Sequence, residues 1–243
     1  KGDKRGVGML LNALVAMDLL EKKDDTYSNT LLSKTFLSKN SSRYIGHIIM
    51  HHHYLMDSWT RLDVAVQSGK PVRKRASFHE DEMRESFLMG MFNMAMTVAP
   101  MFVPKIDLSN RRFLLDLGGG PGTYAIHFCM NNPQLKATVY DLPTTRSFAE
   151  KTIAKFDLTD RIEFKDINFL EEKIEGVYDV AWLSHILHGE GPEDCHNIIK
   201  KAVSVLEPGG MILIHDFILN NAMDGPLFPA LFSLNMLLRT SYG

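Results

Sequence analysis

Apolar residues recur at helical spacing from the start of the chain. Met9, Leu10, Ala13, Leu14, Met17 and Leu20 share one face between Gly6 and Leu20, which predicts an amphipathic helix. Glu21 to Asp25 reads as a charged turn between short extended pieces, with Thr26-Tyr-Ser-Asn29 as the return. A second helix is predicted from about Ser41 to Ser68, stopped by Gly69-Lys-Pro71. Helix, charged hairpin, helix predicts part of a winged-helix module. Phe87 to Val103 carries no charge, but it includes Asn93, Thr97 and Pro100 and is shorter than the ~20 apolar residues a bilayer needs. It reads as a buried helix, and no membrane partner is expected.

From Phe113 the period changes. Phe113–Leu117, Lys136–Tyr140, Arg161–Lys165, Val177–Leu183 and Met211–His215 are short apolar runs, with helical segments between most of them. Such alternation predicts a parallel sheet with helices on both faces. The last strand is followed by another apolar helix, after which the chain stops at Ser241-Tyr-Gly243. The chain therefore reads as part of a longer polypeptide at both ends.

Charge narrows the partners. A net charge of -2 supplies no basic field, and the helix that would enter a DNA groove has almost no Lys or Arg beyond position 5. Dimerisation therefore outweighs nucleic-acid binding for the N-terminal module. Cys129 and Cys195 form no ligand or redox pattern and read as reduced thiols of a cytoplasmic protein. His51-His-His53 invites a metal, but consecutive helical side chains point about 100° apart, so a helix surface or subunit contact is expected instead.

The chemistry gathers at the predicted strand ends. Asp116-Leu-Gly-Gly-Gly-Pro-Gly122 follows a strand and opens a helix, with glycine spacing G-x-G-x-G in place of the dinucleotide G-x-G-x-x-G. The acidic residue before Gly118 and Gly120 suits a ligand bearing a cation where a dinucleotide has phosphates. Asp141 ends the next strand 23 residues after Gly118, placed to accept ribose hydroxyls, with a turn aspartate before Pro143 as its alternative. Asp166-Ile167 ends the third, where a carboxylate can accept an adenine amino group and Ile167 can cover a ring face. Together they outline a nucleoside-shaped site. No metal-ligand spacing accompanies Asp141 or Asp166, which argues against a magnesium-dependent type.

These motifs resemble the class I S-adenosylmethionine (SAM) dependent small-molecule O-methyltransferases of the caffeate and acetylserotonin type, and the likeness spans nearly the whole chain. It implies an α/β fold: a doubly wound, Rossmann-like sheet preceded by a mostly helical winged-helix dimerisation domain. The expected division is residues 1–75 for the partial winged helix, 76–105 for connecting, substrate-lining helices and 106–243 for the SAM-binding domain without its C-terminal strands. The resemblance implies SAM as methyl donor, S-adenosylhomocysteine (SAH) as product, no metal, a homodimer, and a small aromatic or polyketide-like hydroxyl acceptor. Asp116, Gly118, Gly120, Asp141, Leu142, Asp166, Ile167 and Ser184 would bind the cofactor. His188, seven positions before Cys195 in the family's H-x-x-x-x-x-x-C spacing, would be the general base, with Asp216 as its partner. Met91, Met94 and His185 would line the acceptor pocket. Two positions depart from the family pattern: His188 is followed by Gly-Glu190 where many plant members have Asp-Trp, and Ser184 stands where they carry lysine. A second acidic partner would fall beyond residue 243. The alternatives are C- or N-methylation on the same fold, or a SAM-responsive winged-helix regulator.

Overall fold

In a computed structural model, residues 2–73 and 81–242 are described. The chain opens with helix α1 (Lys4–Ala16), the antiparallel hairpin β1 (Leu20–Lys23) and β2 (Thr26–Asn29), and helix α2 (Leu31–Phe36). Asp3 caps α1 through the Gly6 N–H at 2.7 Å. The expected long second helix is two, α3 (Gly46–Trp59) and α4 (Leu62–Ser68), because the chain breaks at Thr60-Arg61; Gly69 ends α4 in the left-handed region at φ +63. The junction expected at residues 75–76 lies outside the described residues.

Helix α5 (Asp81–Phe102) carries the apolar stretch that reads from sequence as a buried helix. By length and composition Asp81–Lys105 could cross a membrane, yet only 33% of its most apolar window is buried. One face packs on α3, where Gly90 allows close approach: a Cβ there would stand 3.1 Å from the Ile48 Cα. Another face borders a cavity, which is why so uncharged a helix is not fully enclosed.

The sheet follows with β3 (Phe113–Leu117), α6 (Thr123–Asn131), β4 (Lys136–Asp141), α7 (Arg146–Lys155), β5 (Ile162–Asp166), β6 (Tyr178–Ser184), α8 (Pro192–Ser204) and β7 (Leu206–His215), and then α9 (Leu227–Leu237). Its order is β5-β4-β3-β6-β7, with every neighbouring pair parallel. Leu114 belongs to the core shared with Ile126 and Phe128 of α6, whereas Leu115 and Leu117 join the core against Ile198 and Ala202 of α8. Burial on both faces explains why these strands read as continuous apolar runs. The chain winds outward from β3 to β5, then returns across β3 to β6. The resulting crevice lies at the carboxyl ends of β3 and its neighbours, the switch point where such sheets bind ligands.

Candidate active site

Leu117 and Gly118 close β3 at this crevice, and the next turn is built from glycines. Gly118, Gly120 and Gly122 hold φ of +67, +54 and +77, and a Cβ on Gly118 would meet the Ile186 side chain at 2.5 Å. Gly119 lies on the Asp116 carboxyl, where a Cβ would come within 2.6 Å. Asp116 is 1% exposed. One of its oxygens accepts the Ala125 N–H at 3.2 Å, and the other has no partner among the described residues. Burial, and then the charge of Asp141, push its carboxyl up to about 7.

Asp141 ends β4 beside that loop. Its Oδ2 accepts the Gly120 N–H at 2.8 Å, while Oδ1 accepts the Leu142 N–H at 2.7 Å and the Thr145 hydroxyl at 3.1 Å. It is therefore a turn aspartate before Pro143, the alternative reading of the sequence, and it also faces the glycine turn. Three of about four acceptor positions are taken, which leaves room for one further donor and not a full bidentate grip unless the Gly120 contact yields. Burial raises this carboxyl, and the three hydrogen bonds act against the rise.

One cavity of about 990 Å³ runs from Asp116, Gly118, Gly120, Asp141 and Leu142 past Ser184, His185 and His188 to Met91 and Met94 on α5. The structure does not bring Asp166 and Ile167 to it. Asp166 is exposed and pairs with Arg146 through two contacts of 3.0 Å, and Ile167 is 3% exposed in the core beneath α8. Asn168, Phe169 and Leu170 form the rim there instead, and Lys201 of α8 anchors it by donating to the Phe169 and Leu170 carbonyls at 2.8 and 2.9 Å. The sheet register thus lands the carboxylate outside the crevice and the following residues inside it.

The histidine centre lies across the cavity. His188 Nδ1 is 2.6 Å from Asp216 Oδ1, and Asp216 also accepts backbone N–H groups of Leu187 and His188 at 3.3 Å and Phe217 at 2.8 Å. His185 Nδ1 stands 3.6 Å from the same oxygen, beyond hydrogen-bond reach. Burial acts to raise the Asp216 carboxyl, but the two imidazoles and the Phe217 N–H outweigh it and hold it well below the usual range. His185, His188 and Asp216 each offer an atom within 4.8 Å of the others, close enough to share a cation, although Asp216 is already engaged by these donors. His185 adopts φ +55, a conformation few non-glycine residues take, and packs on Phe217 at 4.5 Å and His215 at 4.6 Å. Phe232 of α9 meets the His188 ring edge-on at 4.9 Å and Phe217 at 4.6 Å, so an aromatic wall faces the imidazole.

Several of these residues are not singled out by sequence. His215 bonds Ser184 Oγ at 3.2 Å and stacks on Trp182 at the end of β7. Its position at a strand end directly before Asp216 is the one available signal. His52 and His53 are exposed on the helix, as expected, while His51 is half-buried; His51 and His52 also border the cavity, and His51 leans on Phe87 at 5.3 Å. Burial, then His52 and Arg73, lower His51 to about 4. Phe217, Phe228 and Phe232 give no local signal, since aromatic residues read as core.

A glycine turn, two strand-end carboxylates and a histidine–carboxylate pair at one switch point define a nucleoside-binding transferase. The buried, unpartnered Asp116 oxygen fits the cationic amino group of SAM. The chain matches the O-methyltransferase domain family over residues 67–243, and it belongs to that family. It is 32% identical to the 3-hydroxy-5-methyl-1-naphthoate 3-O-methyltransferase of Streptomyces sahachiroi, covering 98% of this chain and 70% of that protein. It superposes on an O-methyltransferase family protein from Burkholderia thailandensis with a TM-score of 0.86 at 32% identity, covering 99% of this chain and 74% of that one. A structure of PigF with SAH gives a TM-score of 0.87 at 26% identity, covering 98% of this chain and 75% of that one. Further relatives include an N,N-dimethyltransferase, OxyT, of Streptomyces rimosus and an L-tyrosine C(3)-methyltransferase of Streptomyces lavendulae, so family membership alone does not fix the accepting atom. The protein is a SAM-dependent methyltransferase of the O-methyltransferase family, and SAM and SAH are its cofactor pair.

Proposed function

We propose that this chain methylates a hydroxyl of a small aromatic or polyketide-like acceptor, with His188 as general base. The observation that carries the proposal is the 2.6 Å contact from His188 Nδ1 to Asp216, made by a ring that also borders the cavity opposite Phe232. Names among the relatives support the acceptor class, including the naphthoate enzyme and a tetracenomycin polyketide 8-O-methyltransferase.

The chain's own groups divide the work. The Asp116 carboxylate takes the cofactor's ammonium, the Gly118–Gly120 turn admits its backbone-sized part, and Asp141 with Leu142 holds the ribose. The adenine end is bounded by Asn168 and Phe169, and Ser184 adds a polar contact near the histidines. When bound, the cofactor supplies an electrophilic methyl group. Met91, Met94, His185 and Phe232 clasp the acceptor ring so that its hydroxyl faces His188 Nε2. His188 takes the hydroxyl proton there, while Asp216 keeps the Nδ1–H tautomer and stabilises the imidazolium. Excluding water from an aromatic-walled cavity strengthens that electrostatic support.

The N-terminal elements are read as a partial winged-helix dimerisation module of a cytoplasmic homodimer. Support comes from α1, which has no buried residue and exposes Met9 and Leu10 at 61% each. The test of function is transfer of labelled methyl from SAM to a panel of phenols and naphthols, with the methylated atom located by NMR. Methyl on oxygen is the expected product; methyl on carbon or nitrogen alone contradicts the hydroxyl assignment.

A further inference from the structure

Past the aromatic wall the cavity turns cationic. Arg61, Arg73, Arg84 and Arg239 border it, with Asp57 and Glu190 as acids at the same end. Arg84 is met by Asp81 at 2.6 Å. Arg73 is different. Its Nη2 donates to the Asn235 side-chain and backbone oxygens at 2.7 and 3.2 Å, and its buried Nε has no acceptor among the described residues. Among the described residues its side chain meets only the neutral oxygens of Asn235. Burial, and then neighbouring Arg239, lower Arg73 to about 10.

The position of this charge suits a substrate. Phe232 touches the His188 ring, and Asn235, which holds Arg73, lies one helical turn further along α9, about 4.5 Å of rise. On the other side, Gly189 follows His188 and gives the Arg239 guanidinium its space: a Cβ there would stand 2.0 Å from Nη2. A guanidinium fork matches a carboxylate bidentately, and a half-buried cation that meets only neutral oxygens among the described residues is an arrangement a bound anion favours. Asp57 and Glu190 nearby favour a monoanion over a dianion.

We propose that the acceptor is an aromatic hydroxy acid, its hydroxyl at His188 and its carboxylate received by Arg73 with Arg239 alongside. The proposal rests on the methyl-transfer reading for the hydroxyl, whereas the anion subsite is testable by binding alone. The probes are 3-hydroxy-1-naphthoic acid, its methyl ester and 2-naphthol, titrated into SAH-loaded enzyme by their own fluorescence, and then assayed for methyl transfer. The wild-type protein should bind the acid about 10- to 150-fold more tightly than the ester, the span of a charge-assisted hydrogen bond. Arg73→Gln should abolish that preference and leave 2-naphthol affinity within about threefold, with SAH affinity as the check on folding. The acid–ester comparison on wild type needs no variant. An absent acid preference in wild type, or an equal loss for all three probes in Arg73→Gln, overturns the carboxylate subsite. Methylation of 2-naphthol without acid preference would leave methyl transfer standing and the subsite refuted; acid preference without methyl transfer to any probe would do the reverse.

Discussion

Two buried carboxylates sit at opposite ends of the titration scale for opposite reasons. Asp116 has lost water and gained one N–H, so its carboxyl rises to about 7. A cationic cofactor favours its ionised form, and binding below that pH must release a proton. SAM affinity is therefore expected to fall as pH drops below about 7, by up to tenfold per unit. Calorimetry in buffers of differing ionisation enthalpy checks this, and Asp116→Asn should give a flat, weaker profile. Asp216 has gained imidazole and N–H partners, so its folded carboxyl lies below the unfolded value. Its contribution to stability is present above about pH 4 and lost on further acidification. Asp216→Asn should flatten that part of the acid-unfolding curve, and also lower turnover by releasing the His188 tautomer, while leaving SAM affinity within a few-fold.

At the scale of elements, the turn after β3 and the rim before β6 define the cofactor crevice. Gly118→Ala meets both the positive φ and Ile186, so cofactor binding should weaken by at least about tenfold, consistent with backbone strain of roughly 1–3 kcal/mol. Lys201→Met should free the Phe169–Leu170 rim and raise the cofactor dissociation rate without altering the acceptor's; stopped-flow release of SAH reads it. The strands and the glycine turn are legible in sequence because short continuous apolar runs and glycine punctuation are local signals. The histidine–carboxylate pair is legible only through the resemblance to the family. Asp166 shows the limit: strand-end position predicts a cavity carboxylate, but the side chain turns outward to pair with Arg146 at the start of α7. Likewise the break at Thr60-Arg61 interrupts a stretch whose composition reads as one helix.

At the scale of the molecule, the cavity joins pieces far apart in the chain. Arg73 is held by Asn235 across 162 positions, and His51 meets the same pocket from α3. No local pattern carries such contacts, so the cationic acceptor end was invisible where the cofactor end was plain. The exposed apolar face of α1 belongs to this scale too. Met9→Glu with Leu10→Glu should shift a dimer to monomer in sedimentation velocity, with SAM affinity unchanged.

The central claim is that His188, held by Asp216, removes the acceptor proton inside a cavity shared with SAM. Its most direct test is single-turnover transfer of labelled methyl to a hydroxynaphthoate by SAM-loaded wild-type and His188→Gln enzymes, with SAM affinity measured on both. The expected result is a transfer rate lower by roughly 10²–10⁴-fold with SAM affinity intact. Equal transfer rates in the two proteins would contradict the account.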